Sequence, residues 1–454
     1  MLKLAILGYG VEGKSVENYF KTHPYENVDP KDIEIKIFDK FEDQEIDSFG
    51  LENFDVVFRT PSVRPHYDFK EFENPEITGS SEKSYLNNKP YWTSATKYFF
   101  DHCPTEVIAV TGTKGKGTTC SMISAMLDSI SQKIYPESSR PKTFLVGNIG
   151  LSPLDILDQI TEHDNVVFEI SSFQLWDLHT SPYVSVILRI EPDHLNVHKD
   201  FEEYVYAKAA LARYQTEDNY LVYYKENSTT ASVAKASPAH KLSYPIANQS
   251  EKLTALLNSL NIPGEHNREN AEAALLAVAA RFFGGDLNLM LSSEIYGALV
   301  DGIKNFKGLP HRIEFIRELN NVKYYDDNYS SAYPSMDVAL KAFEEYPTVL
   351  IAGGFDRKIK NDAKKRIFSA KNLTKAILIG ETAAQLAEGE NPAKFEIAKT
   401  LEDAVNAAKV AAEKVATKDQ PAIVLMSPGF PSFDMFKNFT ERGEKFTKLV
   451  KELK

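Results

Sequence analysis

Two glycine-rich turns in this 454-residue sequence carry the residue types that phosphate chemistry needs. The stronger is Thr111-Gly112-Thr113-Lys114-Gly115-Lys116-Gly117-Thr118-Thr119, which follows an apolar run and opens a helical pattern. Its glycines let backbone N–H groups face phosphates, Lys116 can neutralise β- and γ-phosphate oxygens, and Thr118 or Thr119 can offer a hydroxyl to Mg²⁺. The spelling departs from G-x-x-x-x-G-K-[ST], because Val110 takes the first glycine position and Gly117 follows the lysine, but the mechanics survive. An ATP site is the reading. The second turn, Gly8-Tyr9-Gly10-Val11-Glu12-Gly13, fits G-x-G-x-x-G between a strand and a helix, where a diphosphate can rest on the helix N-terminus. Asp39 ends the next strand, where an acid can grip a ribose hydroxyl. Taken alone, this turn suits a nicotinamide-dependent dehydrogenase, any binder of a nucleotide diphosphate, or a purely structural corner. A dehydrogenase would leave the ATP loop unexplained.

Both turns depend on the elements around them. Residues 2–7 are an apolar run ended by glycines and residues 12–20 have helical spacing, so the chain opens strand, tight turn, helix. Residues 33–38 supply a second strand, and a polar stretch at 72–90 closes a first domain near residue 95. A strand at 106–110 feeds the ATP loop and a helix through residue 127, with further strands at 166–170 and 184–190. Residues 225–252 turn to Ser, Thr, Ala and Asn and read as irregular structure or an insertion, whereas 267–283 is Ala-rich and helical. The Gly and Pro of residues 305–310 mark a linker. Beyond it, apolar runs at 322–325, 349–351, 376–379 and 422–426 alternate with helical stretches, the pattern of a parallel α/β sheet.

Composition bounds the partners. At roughly 100–200 residues per domain the length argues for about three domains. Lys and Arg number 52 against 64 Asp and Glu, a net charge of −12, which disfavours a nucleic-acid or anionic-membrane surface but not a local phosphate pocket. Two cysteines are too few for a disulfide framework or a four-thiolate zinc site, so a reducing, cytoplasmic compartment is expected. No apolar run reaches the roughly 18–20 residues of a membrane span. The apolar N-terminus leads into Gly-Tyr-Gly rather than a small-residue cleavage site.

The ATP loop resembles that of the Mur ligases and of the related folylpolyglutamate synthases, its GKG-T spelling being closer to the latter. Further segments, in order and well spread, resemble the Mur ligases: EISSFQL at 169–175, EPDHLNVH at 191–198, GEHNRENAEAA at 264–274 and MSPGFPSFDMFKNFTERGEKF at 426–446. The opening G-x-G-x-x-G, with Thr60-Pro61-Ser62 after it, matches the family's UDP-binding start, and the resemblance spans nearly the whole chain. It implies three α/β domains: a Rossmann-like one at 1–95 for UDP-MurNAc, a P-loop ATPase-type one at 96–305, and a Rossmann-like one at 306–454 for the amino acid. It implies ATP-driven amide-bond formation between UDP-MurNAc-L-Ala and glutamate, expected as D-Glu, through an acyl phosphate in peptidoglycan precursor synthesis. A monomer is expected, with no nucleic-acid or membrane partner.

By the same resemblance, Glu169, His194 and Lys208 surround a pair of Mg²⁺ ions, for which Mn²⁺ can substitute. Lys208 is expected to be carbamylated by CO₂, which turns a cation into a metal-facing anion. Asn148 is placed near the UDP-sugar, Asn270, Arg312 and Asp327 at ATP, and Arg357, Lys358, Ser432 and Phe439 at the incoming amino acid. Gly8, Gly10, Val11, Glu12, Asp39, Thr60, Pro61 and Ser62 complete the UDP-sugar set. Two departures stand out. The family's D-S-K-A-T-N run reads Asp327-Asn328-Tyr329-Ser330-Ser331-Ala332 here, so a phenol replaces a cation and puts the amino acid's identity in question. Gly117 lacks the usual hydroxyl, which moves the metal-facing role to Thr118. A folylpolyglutamate-type ligase is the enzymatic alternative, disfavoured by the N-terminal G-x-G-x-x-G domain that family lacks. A non-catalytic ATP-binding subunit would not need Lys208.

Overall fold

Strands buried on both faces must be apolar, and residues 4–7 and 107–110, which lead into the two glycine turns, are of that kind. The computed structural model describes residues 1–41, 43–65, 90–331, 333–358 and 363–454; the polar stretch at 72–90, apart from Pro90, and Ala332 lie outside the described residues. The N-terminal sheet is fully parallel, with β1 (Leu2–Leu7), β2 (Ile33–Phe38), β3 (Val56–Arg59) and β4 (Tyr91–Thr93) in the order β2-β1-β3-β4. A second parallel sheet comprises β5 (Val107–Thr111), β6 (Thr143–Gly147), β7 (Asn165–Glu169), β8 (Val184–Ile187), β9 (Tyr220–Tyr224) and β10 (His240–Tyr244), in the order β10-β9-β8-β5-β7-β6. The third holds β11 (Glu314–Leu319), β12 (Val322–Asp326), β13 (Thr348–Gly353), β14 (Leu373–Ile379), β15 (Phe395–Ile397) and β16 (Ala422–Met426), in the order β11-β12-β16-β13-β14-β15. There β11 alone runs antiparallel to its neighbour.

This order explains where the motifs lie. Both glycine turns leave strands, β1 and β5, flanked on either side by later strands, the switch points where a crevice opens beyond the carboxyl ends of a parallel sheet. In the third sheet the adjacent strands β12, β16 and β13 deliver Asp327, Ser427 and Gly354 at one edge.

Two compact units emerge: Met1–Ser259 with Glu269–Ile303, and Leu260–Arg268 with Lys304–Lys454. The first contains both N-terminal sheets, whose cores merge through Phe20, Phe58, Tyr98, Phe99 and Phe168. Arg59, fully buried at the end of β3, pins them together. Its Nε donates to Asp177 Oδ2 at 2.7 Å and its Nη2 to Asp177 Oδ1, while Nη1 and Nη2 also donate to the Thr60, Val63 and Phe173 carbonyls. A buried pair of this kind is costly to break from one side, so it fixes the geometry of the two sheets more than it adds net stability.

The sequence expectations need several corrections. Residues 225–252 are ordered: a helix at Ser228–Ala236, capped by Asn227 accepting from the Thr230 N–H at 3.0 Å, then β10 and a helix at Glu251–Asn258. Pairing with β9 and burial of Tyr244 decide this, which composition alone does not reveal. The strand expected through residue 190 ends at Ile187, because Leu188 turns beneath the ATP loop. The helix expected through residue 127 continues to Ile134. Strand β11 was not foreseen; Asn320 and Asn321, both at positive φ, form the tight turn that folds it back on β12. The short β15 was also missed.

Candidate active site

The ATP loop is shaped by close approach. Gly112 has φ +148°, and a Cβ there would stand 2.6 Å from Leu188 Cβ; at Gly115, φ +88°, it would meet Asn270 Oδ1 at 2.5 Å. Only glycine fits either place. Gly115 is also the N-cap of helix Lys116–Ile134, with no side-chain cap, so the first-turn N–H groups are available to an anion. Lys116 Nζ donates to the Gly112 and Thr113 carbonyls at 3.1 and 3.2 Å, folded over the loop it would share with phosphate. Thr113 Oγ1 donates to the Glu191 carbonyl at 3.0 Å, joining the loop to the EPDHLNVH segment, and Lys114 is exposed. Gly117, Thr118 and Thr119 lie on the buried side, and Thr119 Oγ1 has no partner among the described residues.

Beside this loop a second amine is fully buried. Lys208 Nζ donates to the Gly112 carbonyl at 2.9 Å and to Thr111 Oγ1 at 3.3 Å, and lies 4.7 Å from the Tyr204 ring centre. Burial, reinforced by the Lys116 charge, holds its pKa well below that of an ordinary lysine, against the opposing pull of Asp193 and Glu169. Glu169 ends β7. Its Oε1 accepts from Asn148 Nδ2 at 3.0 Å, while the Asn148 N–H donates to the Glu169 carbonyl at 2.9 Å. Gly147 makes that double contact possible, since a Cβ there would fall 2.3 Å from the Glu169 carbonyl oxygen. Glu169 Oε2, also buried, has no hydrogen-bond partner among the described residues. A carboxylate oxygen left bare in this way suits a cation. His194 differs: half-exposed, at φ +54°, it packs edge-on against Phe173 at 5.1 Å.

The UDP-type turn is equally tight. A Cβ at Gly8 would lie 2.2 Å from Thr60 Oγ1 and 2.9 Å from Ser62 Oγ, and one at Gly13 would lie 2.2 Å from the Gly8 carbonyl oxygen. Thr60-Pro61-Ser62 is therefore seated on the turn, with the Thr60 hydroxyl donating to the Leu7 carbonyl at 2.9 Å. Gly10, the N-cap of helix Val11–Phe20, has open space around it, and Val11 is exposed. Asp39 Oδ1 accepts the Tyr9 N–H at 3.0 Å, so this acid holds the turn itself, whatever it does for a ribose.

Sequence reasoning missed three partners here. Gln174 of EISSFQL donates to Glu12 Oε1 at 2.7 Å, Arg59 anchors Asp177, and buried His198 lies 2.9 Å from Ser172 Oγ through Nε2. Burial between Gln174 and the Arg59–Asp177 pair raises the Glu12 pKa to about 7. An acid whose folded pKa exceeds its unfolded one loses stability as pH rises from the unfolded value through the folded one. The ionised form therefore costs on the order of 3 kcal/mol above pH 7 and nothing near pH 4. Glu12→Gln should raise the urea midpoint at pH 8 and leave it unchanged at pH 4; equal shifts at both would refute the burial account.

The second unit assembles the remaining candidates. Asp327 is buried, accepts from Ser330 Oγ and Ser427 Oγ at 2.6 Å each, and has its pKa raised to about 7 by burial. The Arg312 guanidinium lies 5.4 Å from the Tyr329 ring centre, and Tyr329 meets Phe439 edge-on at 5.4 Å. Tyr329 thus joins Arg312 and Phe439 in one cluster. Ser432 is buried, with no partner for its hydroxyl among the described residues, whereas Arg357 and Lys358 are exposed.

Residues 110–278 match the Mur ligase middle domain. Over 487 residues the chain is 30% identical to the UDP-N-acetylmuramoylalanine--D-glutamate ligase of Clostridium kluyveri, covering 99% of this chain and 97% of that protein. It is 34% identical over 424 residues to the ligase of the same name from Clostridium botulinum, covering 89% of this chain and 84% of that one. The crystal structure of MurF ligase from Thermotoga maritima in complex with ADP matches with a TM-score of 0.52 at 15% identity, over 90% of this chain and 92% of that one, a likeness of fold. The chain belongs to the Mur ligase family, among the UDP-N-acetylmuramoylalanine--D-glutamate ligases.

Proposed function

We infer that the protein is the ligase that joins D-glutamate to UDP-N-acetylmuramoyl-L-alanine at the expense of ATP, in peptidoglycan precursor synthesis. The observation that supports this most directly is the fully buried Lys208 on the Gly112 carbonyl, within electrostatic reach of Lys116 and Glu169. A loop that only held ATP would have no use for it.

A carboxylate oxygen of the sugar peptide attacks the γ-phosphorus and displaces ADP. The glutamate amine then attacks the acyl carbon, loses a proton, and expels phosphate to leave the amide. The first-turn N–H groups at Gly115–Gly117 with Lys116 hold the phosphates, and Asn270, Arg312 and Asp327 are assigned to ATP as well. Bound Mg²⁺ or Mn²⁺ would neutralise charge on the transferred phosphoryl group. Glu169, His194, the Thr118 hydroxyl and a carbamate on Lys208 would hold it. Lys208 reaches that carbamate when its neutral amine bonds to the carbon of CO₂ and one proton leaves. Gly8, Gly10, Val11, Glu12, Asp39, Thr60, Pro61, Ser62 and Asn148 are assigned to the UDP-sugar, and Arg357, Lys358, Ser432 and Phe439 to glutamate. Residues 1–95, 96–305 and 306–454 would divide these tasks in a cytoplasmic monomer without nucleic-acid or membrane partners. Among the described residues no helix is long and apolar enough to cross a membrane.

The test is phosphate release with Mg²⁺, ATP and UDP-N-acetylmuramoyl-L-alanine across D-Glu, L-Glu and D-Asp. Release that depends on D-Glu is expected; none with any amino acid rejects the ligase reading, and preference for L-Glu keeps the mechanism and changes the product.

A further inference from the structure

Arg442 is an unusual residue to find at the centre of a domain. Its side chain is 1% exposed, and no carboxylate among the described residues pairs with it. Nε donates to Asn328 Oδ1 at 2.5 Å, Nη1 to the Pro431 carbonyl at 3.3 Å and Nη2 to the Phe430 carbonyl at 3.0 Å. A Cβ on Gly354 would lie 3.1 Å from Nη1, so the loops after β12, β13 and β16 all close on one guanidinium. Burial lowers its pKa to about 10 against the opposing pull of Asp434 and Asp326, which leaves it charged at neutral pH. Every direct hydrogen-bond acceptor of the guanidinium is neutral, so Asp434 and Asp326 act on its charge only through space.

Two further atoms point the same way. Because Arg442 fixes Oδ1 of Asn328 as the acceptor, Nδ2 must face elsewhere, and this fully buried N–H₂ has no partner among the described residues. The Ser432 hydroxyl, directly after the Pro431 carbonyl that Arg442 holds, is also buried and unpartnered. Two unsatisfied buried donors beside a buried guanidinium describe a preformed carboxylate seat. Tyr329, next to Asn328, has no charge to offer an acidic amino acid, and the exposed Arg357 and Lys358 are not part of this cluster of contacts.

We propose that Asn328 Nδ2 and Ser432 Oγ bind a carboxylate of the incoming amino acid, and that buried Arg442 supplies the positive field and holds both loops in place. The proposal rests on the ligase reading and adds Asn328 as a substrate ligand and Arg442 as a positioning residue. Its chemistry supplies a carboxylate contact without a lysine at position 329.

Asn328→Asp tests it, because the new carboxylate keeps the shape, can pair with Arg442 and places a negative oxygen where Nδ2 stood. The expected result is an amino-acid KM raised about a hundredfold, an unchanged KM for ATP, and a melting temperature no lower than wild type. Partial rescue by the side-chain amide or α-amide of glutamate would add support. An unchanged amino-acid KM in the folded variant overturns the proposal. Should that variant fail to fold, Arg442→Lys and Arg442→Gln decide: the lysine variant should keep the amino-acid KM within about tenfold of wild type and the glutamine variant should exceed that, whereas equal values overturn it. Wild-type enzyme inactive with every amino acid would instead reject the ligase reading, which separates the two failures.

Discussion

Lys208→Ala should lower amide formation by about a thousandfold or more while ATP binding survives, a loss on the scale of deleting one preorganised electrostatic group. The reason lies in where the amine sits. Lys208 is buried against the Gly112 carbonyl and Thr111 Oγ1, and both desolvation and Lys116 disfavour its charge, which favours the neutral amine far more than in an ordinary exposed lysine. A neutral amine is the form that adds to CO₂; a protonated one cannot. Wild-type activity should therefore fall in CO₂-depleted buffer and return with bicarbonate, and it should decline on acidification as the amine protonates. Acetate or formate added to Lys208→Ala should restore part of the rate by filling the vacated space with a carboxylate. Wild-type turnover in the alanine variant would sink the assignment. Lost turnover with neither CO₂ dependence nor carboxylate rescue would make the lysine a structural cation instead.

What the sequence revealed and what it hid follow from the range of the forces involved. Both glycine turns were legible because close backbone approach at Gly8, Gly112 and Gly115 acts over a few residues and tolerates no side chain. The strands feeding them were legible because both faces are buried over residues 4–7 and 107–110, which makes those runs apolar. The segment at 225–252 was misread because its polar, small residues become helix and strand only when β10 can pair with β9. Most hidden were single polar contacts between distant positions: Arg59 with Asp177, 118 residues apart, Gln174 with Glu12, 162 apart, and Arg442 with Asn328, 114 apart. Nothing local in VVFRT or TERG announces a buried guanidinium. The departure at Tyr329 was visible, but its meaning was not until its ring appeared between Arg312 and Phe439.

Glu169→Gln should reduce kcat by about a thousandfold with little change in melting temperature, because it alters one buried oxygen that has no hydrogen-bond partner among the described residues. Asn148 Nδ2 donates to Oε1, and glutamine keeps a carbonyl oxygen there, so the double link between Asn148 and the end of β7 persists. At Oε2, where no protein donor competes among the described residues, the variant places an N–H₂ that repels a metal and cannot share negative charge with it. The affinity for Mn²⁺ in the presence of ATP, read by paramagnetic resonance, should weaken in step with kcat. Intact Mn²⁺ affinity would show that Glu169 is not a ligand, whatever became of the rate. The double variant with Lys208→Ala separates this account from two independent losses. If both residues serve the same metal-bound phosphoryl group, removing the second should cost much less than it does alone, since groups that act as a unit are strongly non-additive. Multiplicative losses would mean that Glu169 and Lys208, although both lie around the Gly112 loop, stabilise different steps.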